Sequence, residues 1–405
     1  MDRPPFDDAP GRRVRPRPVA GVVLALAGCG GGTDDPPAAP APVAEDARQA
    51  VAPDPAWLAS SAPVATLTKS TLDATGAQRG WAALAGPARC DVTVHEIVHP
   101  TTGPNGERTD ASGAVLVPSG ADCTGPYPVL SYSRGTDRDR SRTMVDTTER
   151  ETQAIAGFFA ARGYVVVASD YLGYGKSSFP YHPYLHAGSE ARTTIDALLA
   201  GRALLARLGV AESGRVFLAG YSQGGHAALA AQRAIERDRP PGVPAVTATG
   251  AMSGPYDLAG SFAEVAALAP LLAVDFGDSP TLRSIVLRLG DVLGTGAAEL
   301  LAAGDRLRET LQANSVIGWT PRAPLMLCGG SRDPVVPFSN TRRAAEDFAS
   351  RGVPPAVVDV EQEPAFASRL PPPDAPVTDL GGYHAGTVPV LCFAAVRDRW
   401  IEPRR

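Results

Sequence analysis

The stretch Val216-Phe217-Leu218-Ala219-Gly220-Tyr221-Ser222-Gln223-Gly224-Gly225 runs from a short apolar segment, through a serine bracketed by glycines, into Ala-rich sequence. Residues 216–219 have the apolar character of a strand buried on both faces. Residues 223–237 carry apolar side chains at helical spacing and predict a helix. The Gly-x-Ser-x-Gly between them is then a sharp strand-to-helix turn that thrusts the serine hydroxyl outward, with Gly220 and Gly224 leaving room for close backbone approach.

Outward from that turn, short apolar runs alternate with longer helical patterns. Residues 91–98 and 114–117, separated by Gly103-Pro104-Asn105-Gly106, read as a leading antiparallel pair. Residues 129–132, 165–168, 246–251 and 324–328 read as further buried strands, and 190–208 as a helix. Such βαβ alternation predicts an α/β fold with a doubly wound, mostly parallel sheet flanked by helices. Between 261 and 319 there is no convincing strand, only Ala/Leu-rich helical patterns at 287–293 and 297–311. An insertion of that size is more than a loop and reads as a helical cap over about 258–319.

Ser222 is the candidate nucleophile, and a serine needs a base to act as one. His384, in Gly381-Gly382-Tyr383-His384-Ala385-Gly386, is the histidine that follows the cap, and its Gly-rich setting suits a mobile general base. Asp333, in the loop after the strand at 324–328, is the candidate orienting carboxylate, with Asp257 after the preceding strand as the alternative. The Gln223 backbone N–H lies at a helix N-terminus, where unpaired donors favour developing negative charge. Thr136, in Ser133-Arg134-Gly135-Thr136 after the strand at 129–132, is the candidate second oxyanion donor.

With these residues placed, the chain from about 90 to 400 resembles the secreted bacterial esterases and lipases of the α/β-hydrolase superfamily, including the secretory-lipase group with an inserted lid. The resemblance rests on Ser131-Tyr132-Ser133-Arg134-Gly135-Thr136, Ala168-Ser169-Asp170-Tyr171-Leu172-Gly173-Tyr174-Gly175, His182-Pro183-Tyr184-Leu185-His186 and the serine turn. It implies hydrolysis of a carboxylic ester through an acyl-enzyme, with the chain order Ser222, Asp333, His384, and no cofactor. Relatives often have His where this chain has Arg134. Arg134 could meet an acidic group of a substrate, but among Arg138, Arg140 and Arg142 it reads as a solvated side chain.

Other tempting residues read as structural. His182 and His186 are spaced by four, yet Pro183 argues against a helix interior and no third metal ligand is evident, so no metal site is expected. His95 and His99 lie in or beside an edge-like strand, and His226 stands one helical turn beyond Ser222, where it helps pack the helix. Asp170 reads as a turn former, with lining of the site as the alternative. Phe262, Leu271, Leu272 and Phe276 of the cap would line an acyl pocket or pack the cap itself.

The N-terminus is a targeting segment. Arg12, Arg13, Arg15 and Arg17 precede an apolar stretch at 19–27, too short to span a membrane, so residues 1–28 read as a signal peptide. Leu26-Ala27-Gly28-Cys29 resembles the lipobox of bacterial lipoproteins, which implies lipidation of Cys29, a membrane anchor, and, from Gly30, sorting to the outer membrane. An ordinary signal peptide with a chance cysteine, giving a periplasmic or secreted protein, fits the same residues. Residues 29–60 are rich in Pro, Ala and Asp and form a flexible tether to a hydrolase domain over 61–405. Lipidation would leave four of the five cysteines, for which Cys90 with Cys123 and Cys328 with Cys392 is the favoured of three pairings; free thiols are the alternative.

A net charge of -5 gives no basic footprint for nucleic acid, and no internal repeat is present. Two other functions fit the same fold: a serine peptidase, since the fold does not choose between ester and amide, and a tethered binding protein on an inactive scaffold.

Overall fold

In a computed structural model of the chain, residues 52–260, 308–373 and 375–405 are described. The expected signal peptide, Cys29 and most of the tether therefore lie outside the described residues. So does the greater part of the expected cap, of which residues 308–314 are described and helical.

Among the described residues nine strands form a single sheet in the order β1-β2-β3-β5-β4-β6-β7-β8-β9. The leading pair, β2 (Asp91–Thr102) and β3 (Arg108–Ser119), is antiparallel over its full length, from Asp91↔Ser119 to Thr102↔Arg108. β3 also pairs antiparallel with β5 (Val165–Ser169), while β4 (Tyr127–Ser133), β6 (Glu212–Tyr221), β7 (Val246–Met252), β8 (Leu325–Gly329) and β9 (Ala356–Asp359) continue parallel to β5. This is the mostly parallel sheet expected from the alternating pattern, with two strands added. β1 (Ser60–Leu67) pairs with β2 at the edge, and β9 closes the opposite edge. β2 is thus an interior strand, and the edge position expected for His95 and His99 belongs to β1. Pro55–Trp57, which composition assigns to the tether, form a short 3₁₀ turn whose Trp57 packs against the core.

Both faces are covered. Along β6, Phe217, Ala219 and Tyr221 pack on one side with Phe158, Phe159 and Phe393. Val216 and Leu218 pack on the other with Leu198, Leu205 and Ile235. This two-residue alternation under two helical layers is why the run lacks a polar face. Fully burying one such side chain contributes about 1.5–3 kcal/mol.

Among the helices are α1 (Lys69–Gln78), α2 (Ala82–Ala85), α3 (Arg150–Phe158), α4 (Ala187–Leu208), α5 (Gln223–Asp238), α6 (Phe338–Ser350) and α7 (Val388–Val396). α4 starts at His186, whose ring accepts the Ser189 N–H, and stops at left-handed Gly209, the usual grammar of a capped helix. Two cystines join Cys90 to Cys123 and Cys328 to Cys392, the pairing favoured from sequence. Among the described residues no helix is long and apolar enough to cross a membrane.

Candidate active site

The carboxyl ends of β4, β6, β7 and β8 lie along one edge of the sheet, where open α/β sheets present their ligand sites. Ser222 follows β6 directly, with φ 56° and ψ -121°, a backbone conformation that L-residues other than glycine seldom adopt. The turn is held by the Ser222 N–H on the Met252 carbonyl at 2.8 Å and by the Gly225 N–H on the Ser222 carbonyl at 2.9 Å. Close packing explains the flanking glycines. A Cβ on Gly220 would stand 2.1 Å from the Gly224 carbonyl oxygen, and one on Gly224 would stand 1.9 Å from that of Ser133.

The three side chains distant in sequence meet here. His384 Nε2 lies 2.9 Å from Ser222 Oγ, and His384 Nδ1 lies 2.9 and 2.8 Å from the two Asp333 carboxylate oxygens. Asp333 Oδ1 also accepts the Val335 and Val336 N–H groups, which fixes the carboxylate's rotation. All three residues are buried, at 9, 5 and 7% exposure for Ser222, Asp333 and His384, so their hydrogen bonds compete little with water. An imidazole held this way, with a carboxylate on Nδ1, can take the serine proton on Nε2.

His384 is not on the mobile loop its glycines suggest. It lies in a helical turn, Tyr383–Thr387, that leads into α7. Its carbonyl accepts the Tyr221 hydroxyl, and the Gly386 carbonyl accepts Arg150 Nη2 at 3.3 Å. The Cys328–Cys392 cystine ties β8, whose loop carries Asp333, to α7, which His384 introduces. Asp257, the alternative acid, accepts the Gly260 N–H at 2.9 Å and pairs with Arg343 at 3.3 Å, outside the relay.

The loop after β4 is built to leave one amide open. The Gly135 N–H donates to Glu151 Oε1 at 2.8 Å, and the same oxygen accepts the Tyr132 hydroxyl at 2.7 Å. The Thr136 side chain bonds the Tyr184 hydroxyl at 2.9 Å, while the Thr136 backbone N–H makes no hydrogen bond among the described residues. The Gln223 backbone N–H, first in α5, has none among them either. Arg134 departs from the expected solvated side chain. It is 5% exposed, pairs with Asp137 at 2.7 Å, and lies 5.1 Å from the Tyr174 ring centroid. It therefore braces the loop from within, and lone charge in the sequence gave no sign of that.

Asp170 is likewise more than a turn former. It is fully buried and accepts from Ser112, Thr143 and the Met144 N–H, while burial raises its pKa. His182 donates to the Leu172 carbonyl and accepts from Gln223 Nε2, His186 caps α4, and His226 bonds Glu190, so these histidines are committed to separate partners. Among the described residues no cluster of three or more His, Cys, Asp or Glu could hold a metal.

A doubly wound sheet with a hydrogen-bonded Ser-His-Asp relay at its carboxyl edge defines the α/β-hydrolase class. Residues 139–263 match the family model described as secretory lipase. The ligand-bound structure of the rice cell wall degrading esterase LipA from Xanthomonas oryzae is similar at 30% identity and TM-score 0.69, covering 87% of this chain and 100% of that one. Another LipA structure aligns at 28% identity and TM-score 0.69 over the same shares. A Legionella pneumophila protein shares the fold at 23% identity and TM-score 0.62, over 75% of this chain and 91% of that one. No curated protein sequence matches the chain. The chain belongs to the family of secretory α/β-hydrolase esterases and lipases, and it is a carboxylic ester hydrolase. The secretory match and the two cystines mark it as exported.

Proposed function

We propose that Ser222 attacks the ester carbonyl, that His384 takes the hydroxyl proton on Nε2 and returns it to the leaving alcohol, and that Asp333 orients the ring. The backbone N–H groups of Gln223 and Thr136 receive the oxyanion of the tetrahedral intermediate. Water, activated by the same imidazole, then releases the acid from the acyl-enzyme. The observation that carries this reading is the 2.9 Å bond from His384 to Ser222 together with the 2.8 Å bond from His384 to Asp333.

The test is labelling by a fluorophosphonate, followed by turnover of a p-nitrophenyl ester series beside aminoacyl-naphthylamides. Labelling at Ser222 and ester turnover at least about 100-fold faster than amide turnover are expected. Faster amide cleavage would make the protein a peptidase, and no labelling would make it a binding protein on an inactive scaffold.

Export is read as lipoprotein sorting, with Cys29 carrying the lipid, 1–28 removed, and the residues between Cys29 and the 3₁₀ turn at Pro55–Trp57 as the tether to an enzyme held at the outer membrane or elsewhere in the cell envelope. Cys29→Ala is expected to move the enzyme from the membrane fraction to the soluble one with its specific activity unchanged. An unaltered distribution would return the protein to an ordinary periplasmic or secreted product.

A further inference from the structure

The side chain of Gln223 points away from the reaction into a buried polar nest. Its Nε2 lies 2.7 Å from Glu190 Oε1 and 2.7 Å from His182 Nε2, so both amide hydrogens are taken. Gln223 Oε1 has no partner among the described residues, although the residue is 1% exposed. Turning the amide over would aim that oxygen at a carboxylate, so the orientation is fixed by charge. A glutamine buried with its acceptor idle is placed for its donors.

Each receiver is itself held. Glu190, in the first turn of α4 and 1% exposed, also accepts the Leu185 N–H at 3.0 Å on Oε1 and His226 Nδ1 at 2.6 Å on Oε2. The other His226 nitrogen donates to the Asn314 carbonyl at 2.7 Å. Both ring nitrogens are thereby engaged. His182 donates from Nδ1 to the Leu172 carbonyl at 2.9 Å, which leaves Nε2 as the acceptor that Gln223 needs. Burial lowers the His182 pKa to about 4, in keeping with a neutral ring.

We propose that Glu190 and His182 are positioning residues for the reaction: by holding both side-chain hydrogens of Gln223 they fix the peptide whose N–H receives the oxyanion, and His226 fixes Glu190 in turn. The proposal rests on the reading of Gln223 N–H as an oxyanion donor. It assigns work to His182, Glu190 and His226, which the chemistry at Ser222 does not otherwise use.

The experiment compares Glu190→Ala, Glu190→Gln, the near-isosteric Gln223→Met and the double variant Glu190→Ala/Gln223→Met on p-nitrophenyl butyrate. A crystal structure of the wild-type phosphonate adduct at Ser222 accompanies it. Glu190→Ala and Gln223→Met are expected to lower kcat by about 10- to 100-fold with KM within about threefold, a fraction of what removing an oxyanion donor outright costs. The double variant should fall no further than the lower single one, because both changes release the same peptide. Glu190→Gln should keep kcat within about threefold, since its Oε1 accepts from Leu185 and Gln223 while its Nε2 donates to His226 Nδ1.

Unchanged kcat in Glu190→Ala and Gln223→Met, additive losses, or a loss read only in KM would overturn the proposal. So would a Glu190→Gln enzyme as slow as Glu190→Ala. If Glu190→Ala does not fold, Gln223→Met and Glu190→Gln carry the same decision. An adduct oxygen out of reach of Gln223 N would instead sink the oxyanion assignment itself, which separates the two failures.

Discussion

Ser222→Ala is expected to lower kcat for a short-chain p-nitrophenyl ester by about 10⁴- to 10⁶-fold while leaving the melting temperature within a few degrees of wild type. The size follows from the mechanism: without Oγ no acyl-enzyme forms, and His384 and the open amides can only polarise a carbonyl and a water. Folding is spared because alanine keeps the serine Cβ, so the strain at φ 56° neither grows nor shrinks. Among the described residues the only side-chain bond lost is the 2.9 Å contact to His384 Nε2, and His384 keeps its Asp333 partner. Turnover assays and thermal melts read the two halves separately. A folded Ser222→Ala enzyme with near wild-type turnover would remove Ser222 from the reaction and with it the relay as drawn.

Much of this fold was legible because its central strands are buried on both sides. In β6, every residue from Val216 to Tyr221 is covered, so the sequence shows an unbroken apolar run next to a Gly-x-Ser-x-Gly turn, and nothing else competes as an interpretation. The edges gave no such signal. β1 is Ser-Ser-Ala-Pro-Val-Ala-Thr-Leu, more exposed than buried, and contains a proline beside a register shift. That composition shows no strand period because an edge strand pairs on one side and faces water on the other. β9 is four residues long with Val357 exposed, too short for a period to emerge.

At the site, residues whose roles depend on local context were readable, and those that depend on long-range bonds were not. Gly220 and Gly224 flag the turn because no Cβ fits there. Glu151, by contrast, sits in the first turn of an unremarkable helix, and nothing in its neighbours announces that it takes the Gly135 N–H. Arg134 misled for a related reason. Four arginines within nine residues look solvated, yet Asp137 and Tyr174 provide a buried seat for this one alone of the four. His384 looked mobile because Gly381, Gly382 and Gly386 surround it; the Tyr221 hydroxyl and Arg150, from two other elements, hold its turn in place.

The choice of acid is where sequence offered two candidates, and it yields the second large effect. Asp333→Asn is expected to lower kcat by about 10⁴-fold with the protein folded, whereas Asp257→Asn should stay within about threefold of wild type. Asp333 Oδ1 accepts two backbone N–H groups, at 2.9 Å from Val335 and 3.1 Å from Val336, so the asparagine oxygen is drawn to that position. Its amide N–H₂ then occupies the place of Oδ2, 2.8 Å from His384 Nδ1. A donor there favours a lone pair on Nδ1 and hydrogen on Nε2, the tautomer that cannot accept the Ser222 proton. The imidazolium that forms during attack also loses its countercharge. Asp257 touches none of these atoms; its bonds to Gly260 and Arg343 are structural. Steady-state kinetics on the two variants, with thermal melts to verify folding, decide between the carboxylates. A slow Asp257→Asn enzyme beside a fast Asp333→Asn enzyme would transfer the role to Asp257 and require the end of β8 to be arranged differently around His384.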